Sequence, residues 1–276
     1  MKQISISYLS SYLYCPIKFY IEECLKIKKL DQKIVIKGTL KHKAIEQITK
    51  KEKAFVESID KIKDYESLVQ YYKMNFSSNV RNVLLKNKFE LEELNLPLPV
   101  LFQEFKPVFD FEAMQRAKNI FEQHKKTNLT GKELWYNLNP KYISEKSLKS
   151  KEFGLCGRID RLELWHDKIV PIEFKNRESS TLFDSQKIQL GSYILLSNKL
   201  YEKPSTYGYV HFLKDNQKKL LMMNEFLQDE IMEVRSRVVD IIEDKKIPNI
   251  HSIKVSPNKC KICPYQANCK QLKERF

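Results

Sequence analysis

Two β-like runs, Cys156 to Leu164 and Ile169 to Phe174, are separated by only Trp165-His166-Asp167-Lys168. So short a connection directs the runs to pair as an antiparallel hairpin. Side chains alternate across a strand, so Glu173 and Lys175, two apart, project to one face. The hairpin brings Asp160 in the first strand to Glu173 in the second. Through Val170-Pro171-Ile172-Glu173-Phe174-Lys175, apolar residues alternate with the charged pair. A solvated surface hairpin alternates in the same way, so the pattern alone leaves both readings open.

What separates them is chemistry. Two carboxylates and an ammonium around a divalent cation are the requirements of phosphodiester hydrolysis. The cation neutralises phosphate charge and lowers the pKa of bound water. Hard oxygen donors suit Mg²⁺ or Mn²⁺, which makes Asp160 and Glu173 candidate ligands, with the Phe174 carbonyl as a further oxygen. Lys175 is the candidate for positioning the attacking water or stabilising transition-state charge. An amphipathic helix expected over Asp184–Leu200 carries Gln189 and Tyr193 four residues apart on one face, within reach of the same site. Upstream, Gly38-Thr39-Leu40-Lys41-His42 lies in a helix expected from Ile34 to Lys51. His42 is a candidate metal ligand or DNA-orienting group, against the plainer role of a structural histidine.

The surroundings fit an intracellular nucleic-acid protein. Lys+Arg number 49 against 35 Asp+Glu, a net charge of +14 over 276 residues, which points to a polyanionic partner. No run of about 20 apolar residues is present to span a membrane, and the N-terminus lacks a secretory core, so a cytoplasmic location is expected. Lys141, Lys146, Lys149 and Lys151 flank the hairpin as candidate phosphate contacts. Tyr8, Tyr12, Tyr14, Phe19 and Tyr20 suit either stacking on single-stranded bases or a helix core, and the shared face of Tyr8, Tyr12 and Phe19 favours the core.

Along the chain, helices are expected over Ser7–Glu23, broken at Cys15-Pro16, and over Tyr65–Lys88 and Phe111–Lys126 within a Lys- and Glu-rich stretch, residues 53–140. Strands follow at Tyr142–Glu145, Phe153–Leu164, Lys168–Asn176, Thr206–Leu213 and Lys219–Met223, then a helix over Glu225–Lys245. Strands beside helices predict an α/β fold, a central mixed sheet covered by helices. Residues 1–276 are read as one nuclease domain, with 53–140 a helical insertion and 257–276 a cysteine-rich tail.

In that tail, Cys260-x2-Cys263-x5-Cys269 offers three thiolates. Cys15, in its own Cys-Pro turn, is the best fourth, while Cys24 and Cys156 read as small buried residues. Four thiolates suit Zn²⁺ or a 4Fe-4S cluster, and spacing does not separate them.

Gly38…His42, Gly157-Arg158-Ile159-Asp160, Glu173-Phe174-Lys175 and Gln189…Tyr193 resemble the motifs of the PD-(D/E)XK superfamily, RecB-like branch. The resemblance implies a restriction-endonuclease-like central mixed sheet and Mg²⁺- or Mn²⁺-dependent DNA cleavage. His42, Asp160 and Glu173 would be metal ligands, Lys175 the catalytic lysine, and Gln189, Tyr193 and Glu145 supports of the site or the DNA. One early cysteine and three late ones look like the iron–sulfur nucleases, among them the CRISPR-associated Cas-four-type exonuclease family and AddB-type domains. In them a 4Fe-4S cluster ties the N-terminal segment to the tail, so the resemblance favours iron–sulfur over Zn²⁺. Without a Walker motif, the chain is expected to trim single-stranded or overhanging prespacer DNA as an exonuclease for the CRISPR integrase complex in antiviral defence. A RecB-like nuclease of repair or of a mobile element is the alternative, and a non-catalytic DNA-binding scaffold with a structural metal is the third.

Overall fold

The computed structural model describes residues 2–27, 32–179, 181–248, 255–261 and 263–275. The chain opens with β1 (Ile4–Ser5) and α1 (Ile6–Tyr14), whose end falls at Cys15-Pro16 as the sequence predicts. A residue preceding proline is pushed toward extended backbone, and Cys15 has φ −165° and ψ 110°. Pro16 then starts α2 (Pro16–Glu23), a position where its missing N–H is no loss, and Cys15 Sγ accepts the Lys18 N–H at 3.5 Å.

Helices α3 (Gln32–Glu57), α4 (Tyr65–Lys86), α5 (Lys88–Glu93), α6 (Leu98–Thr127) and α7 (Gly131–Asn137) lead into the sheet. α6 begins well before the expected Phe111, because Pro99 sits in its first turn, where proline is tolerated. Leu101, Phe105, Val108 and Phe109 bury the added turns. The remaining elements are β2 (Lys141–Ser150), β3 (Leu155–Leu164), β4 (Ile169–Lys175), α8 (Asp184–Leu200), β5 (Tyr207–Phe212), β6 (Gln217–Met222), α9 (Glu225–Asp244), α10 (Pro257–Lys261) and α11 (Gln266–Arg275). β2 outruns its expected length: its second half, Lys146-Ser147-Leu148-Lys149-Ser150, is polar because it lies at a sheet edge.

Among the described residues the sheet is mixed and six-stranded, ordered β1-β3-β4-β5-β6, with β2 on the far side of β3. β2 pairs with β3 from Lys141↔Leu164 to Ser150↔Leu155. The opposite edge of β3 is shared: β1 takes Leu155 and Cys156 in parallel, and β4 takes Arg161 to Leu164 antiparallel. Among the described residues, Gly157 to Asp160 have no strand partner on that edge, and the sheet forks there.

Helices cover both faces. Ile6, Leu9 and Phe19 pack with Ile188 and Leu196 of α8 and Ile231 of α9 over Ile159 and Leu162. On the other face Leu40 and Ile48 of α3 join Tyr72, Phe76, Phe105 and Ile120 against Ile172 and Phe174. Gly157 is where the first layer comes closest: a Cβ there would meet Tyr193 at 2.9 Å and Ile6 at 3.0 Å.

A buried ionic network joins the helices of the second layer to β3. Arg116 (0% exposed) reaches Glu52 at 2.6 Å, Glu112 at 2.8 Å and the Thr49 hydroxyl at 2.7 Å. Arg161 pairs with Glu112, and the Tyr72 hydroxyl donates to Glu52 at 2.9 Å. Burial alone would raise the Glu112 pKa, but Arg161 and Arg116 outweigh it and hold the carboxyl down at about 2. No described helix is long and apolar enough to cross a membrane.

Candidate active site

The functional side chains gather at the fork. The β2–β3 ladder pairs Ser144 with Arg161 and resumes at Lys146↔Ile159 in unchanged register, so Glu145 falls opposite Asp160. Glu145 has φ 54°, a left-handed backbone that a residue with a Cβ adopts at a cost. On the other side of β3 the ladder ends at Arg161↔Ile172, and Glu173 stands one step beyond it, across from Asp160. The missing rung is replaced by a side chain: Asp160 Oδ2 accepts the Phe174 N–H at 2.6 Å.

His42 comes to this row from α3, which the Thr49–Ser144 hydroxyl contact at 2.9 Å holds against β2. Its Nδ1 lies 3.1 Å from Asp160 Oδ1 and 3.3 Å from Glu145 Oε1. One donor atom from each of His42, Glu145 and Asp160 lies within 4.8 Å of the other two. Burial alone would lower the His42 pKa, but the two carboxylates outweigh it and push it up to about 10. Phe174 packs edge-on against the His42 ring, centroids 5.9 Å apart.

Glu173, 5% exposed, belongs to a second group. Its Oε1 accepts from Lys175 Nζ at 3.0 Å and from Gln189 Nε2 at 2.7 Å, while Gln189 Oε1 accepts from the same Lys175 Nζ at 3.0 Å. Its Oε2 is buried with no hydrogen-bond partner. Burial and then the nearby Asp160 carboxylate push the Glu173 carboxyl up to about 7, against the pull of Lys175. Two carboxylates and an imidazole in one small volume, with an unpartnered carboxylate oxygen beside them, are a donor set for a hard divalent cation.

Glu145, read from the sequence as a support, lies with His42 and Asp160 in the convergent trio, and Glu173, read as a ligand, binds Lys175 and Gln189 through Oε1 while its Oε2 stays unpartnered. Tyr193 donates its hydroxyl to the Arg158 carbonyl at 3.0 Å, bracing β3 next to Asp160. Sequence reasoning missed Arg158, whose Nε lies 2.8 Å from Glu145 Oε2 and whose Nη2 lies 3.2 Å from Glu46. Its place between Gly157 and Asp160 was the available signal. It also missed buried Lys41, which donates to Asn176 Oδ1 at 2.7 Å just beyond Lys175.

The cysteines form a separate centre. Cys15, Cys260, Cys263 and Cys269 line one cavity of about 290 Å³, walled by Ile17, Ile21 and Tyr265. Burial pushes the Cys15 thiol up, the Lys18 and Ile17 N–H groups pull it down, and the neighbouring Cys263 and Cys260 push it up again. Thiols lining one cavity are soft donors that, once deprotonated, could hold Zn²⁺ or an iron–sulfur cluster. Cys24 and Cys156 lie elsewhere, donating to the Ile241 and Ile4 carbonyls.

Of the tyrosines and phenylalanine near the N-terminus, Tyr8 and Tyr12 pack edge-on against Phe19 at 5.6 and 6.2 Å, as a helix core requires. Tyr14 is 37% exposed.

No curated protein matches the chain. A solved structure described as "Crystal structure of SSO0001" aligns over 87% of this chain and 95% of its own, at 15% identity and a TM-score of 0.30. Residues 3–270 match the family model of the PD-(D/E)XK nuclease superfamily. That match spans the helix carrying His42, the forked sheet and the cysteine tail together, and the chain belongs to the PD-(D/E)XK superfamily, whose members are metal-dependent nucleases.

Proposed function

We propose that the chain is a RecB-like nuclease hydrolysing phosphodiester bonds of DNA, acting as an exonuclease on single strands and overhangs. The observation that carries this reading is the single row of Glu145, Asp160 and Glu173 across three strands, with His42 above it and Lys175 beside it. His42, Glu145 and Asp160 would hold the cation, with the Phe174 carbonyl and the free Glu173 Oε2 as further oxygens. A bound Mg²⁺ or Mn²⁺ would supply charge neutralisation at the phosphate and a more acidic water.

The remaining work falls to the chain's own groups. Lys175 Nζ offers its charge to the phosphate as negative charge builds on it. Glu173 and Gln189 fix that ammonium from two sides, so its position is set before substrate arrives. Arg158 holds one oxygen of Glu145, leaving the other turned to His42. Apolar packing of Ile172 and Phe174 beneath the row lowers the local dielectric, which strengthens each of these interactions.

Cys15, Cys260, Cys263 and Cys269 line one cavity, and their resemblance in layout to the iron–sulfur nucleases supports a 4Fe-4S cluster as its occupant rather than one Zn²⁺. Bound there, it would supply a cross-link between the N-terminal Cys15 and the tail, leaving the chemistry to the forked sheet. On this reading residues 1–276 act as one nuclease domain and 53–140 as a helical insertion. The cysteine layout supports a role in CRISPR adaptation, trimming prespacer DNA for the integrase complex in the cytoplasm.

The test is degradation of end-labelled single-stranded DNA by purified protein with Mn²⁺. Asp160→Ala and Lys175→Ala should each abolish it. Degradation that survives both substitutions would defeat the assigned site.

A further inference from the structure

Beyond Lys175 a line of cationic and aromatic groups leaves the site. Arg177 follows two residues later, its N–H donating to the Lys175 carbonyl at 2.9 Å. The Arg177 guanidinium lies 4.8 Å from the centre of the Phe183 ring, at the start of α8. Lys259, in the cysteine tail, sets its ammonium 5.8 Å from that ring and 4.6 Å from the ring of Tyr14. Lys18 approaches Tyr14 from another direction at 5.3 Å. Both rings are open to solvent, Phe183 at 48% and Tyr14 at 37%.

Two half-exposed rings with cations set over or beside them share a common chemistry. Successive bases of a single strand stack on aromatic faces, and the phosphates between them seek cations. A duplex keeps its bases stacked inside and offers these rings nothing. Along α8 the distance from Phe183 to Gln189, which holds Lys175, is six residues, about 9 Å at the helical rise. That is a short step along a polynucleotide.

We propose that Phe183 and Tyr14, with Lys259 between them, form a stacking platform that receives single-stranded DNA next to the Asp160–Lys175 site. The inference rests on reading that site as a DNA nuclease and names the path its substrate takes. It also places the cysteine tail in contact with substrate, since Lys259 adjoins Cys260 and Tyr14 adjoins Cys15.

The test compares binding of labelled oligo-dT and of a blunt duplex of equal length, by fluorescence anisotropy of the full chain with Ca²⁺ in place of Mn²⁺. Phe183→Leu and Tyr14→Leu keep apolar bulk while removing the aromatic face. Each should weaken oligo-dT binding by about 5- to 100-fold, the range for loss of one stacked base, and leave duplex binding unchanged. Phe183→Trp should restore it. Oligo-dT binding at the unaltered level in both leucine variants overturns the proposal, and so does equal weakening for strand and duplex. The underlying nuclease reading fails separately, if the unaltered protein with Mn²⁺ cleaves neither DNA.

Discussion

Asp160 accepts the backbone N–H of Phe174 at 2.6 Å at the point where β3 and β4 stop pairing. The carboxylate therefore has two tasks, with Oδ2 completing the sheet and Oδ1 facing His42. Asp160→Asn keeps an acceptor for Phe174 and loses the charge, whereas Asp160→Ala loses both. We expect both to lose cleavage by roughly 10²- to 10³-fold or more. Only the alanine variant should also lose about 1–3 kcal/mol of stability for the orphaned N–H. Equal denaturation midpoints for the two would remove the structural half of this assignment.

Gln189 touches Glu173 and Lys175 at once. Gln189→Ala should reduce turnover by about 10- to 100-fold, the usual effect of removing a group that orients catalytic ones. DNA affinity should stay unchanged. Single-turnover kinetics beside equilibrium binding separates the two quantities, and a pure affinity loss would contradict the positioning role.

Arg116 balances Glu52 and Glu112 in the interior. Arg116→Met leaves two buried carboxylates short of a partner and should cost about 3–5 kcal/mol. Urea denaturation reads this directly. Adding Glu52→Gln should recover part of the loss, because one of the stranded charges is then gone.

His211 on β5 is buried with neither ring nitrogen hydrogen-bonded, and burial, then Arg161, hold its pKa down at about 4. The unfolded chain takes up this proton near pH 6.5 while the folded chain refuses it until about pH 4. Stability from this group is therefore constant above pH 6.5 and falls as pH drops through 4, by roughly 3 kcal/mol in all. His211→Leu should flatten that part of the stability profile. A slope identical to that of the unaltered protein would exclude His211 as its source.

The four-cysteine cavity predicts a visible absorbance in anaerobically purified protein, with iron and sulfide in equal amounts. Cys263→Ser should bleach it and lower thermal stability while leaving the Asp160 row intact. Colourless protein that carries zinc would assign the cavity to the other metal.

How much of this was readable in advance follows from where the constraints are local. The four-residue turn after Leu164 pairs it with Ile169, and that register alone sets Asp160 across from Glu173. Cys15-Pro16 marks a helix break because proline restricts its predecessor, and α8 falls on its expected bounds, Asp184–Leu200. The convergence of Glu145 with His42 and Asp160 was not legible, because it needs both the register of β2 on β3 and the approach of α3 from the opposite layer. The two-residue β1 carries too little sequence to announce itself. Glu112 and Arg116, four apart, are visible as a helix pair, but only the packed helices reveal that they are buried with Glu52 and Arg161.

Glu145 sits in a conformation that glycine adopts freely and glutamate resists by roughly 1–2 kcal/mol. Glycine here would relieve that backbone cost but strip Arg158 and His42 of a shared carboxylate, so the fold tolerates a strained turn of the chain in exchange for charge placed between two cations.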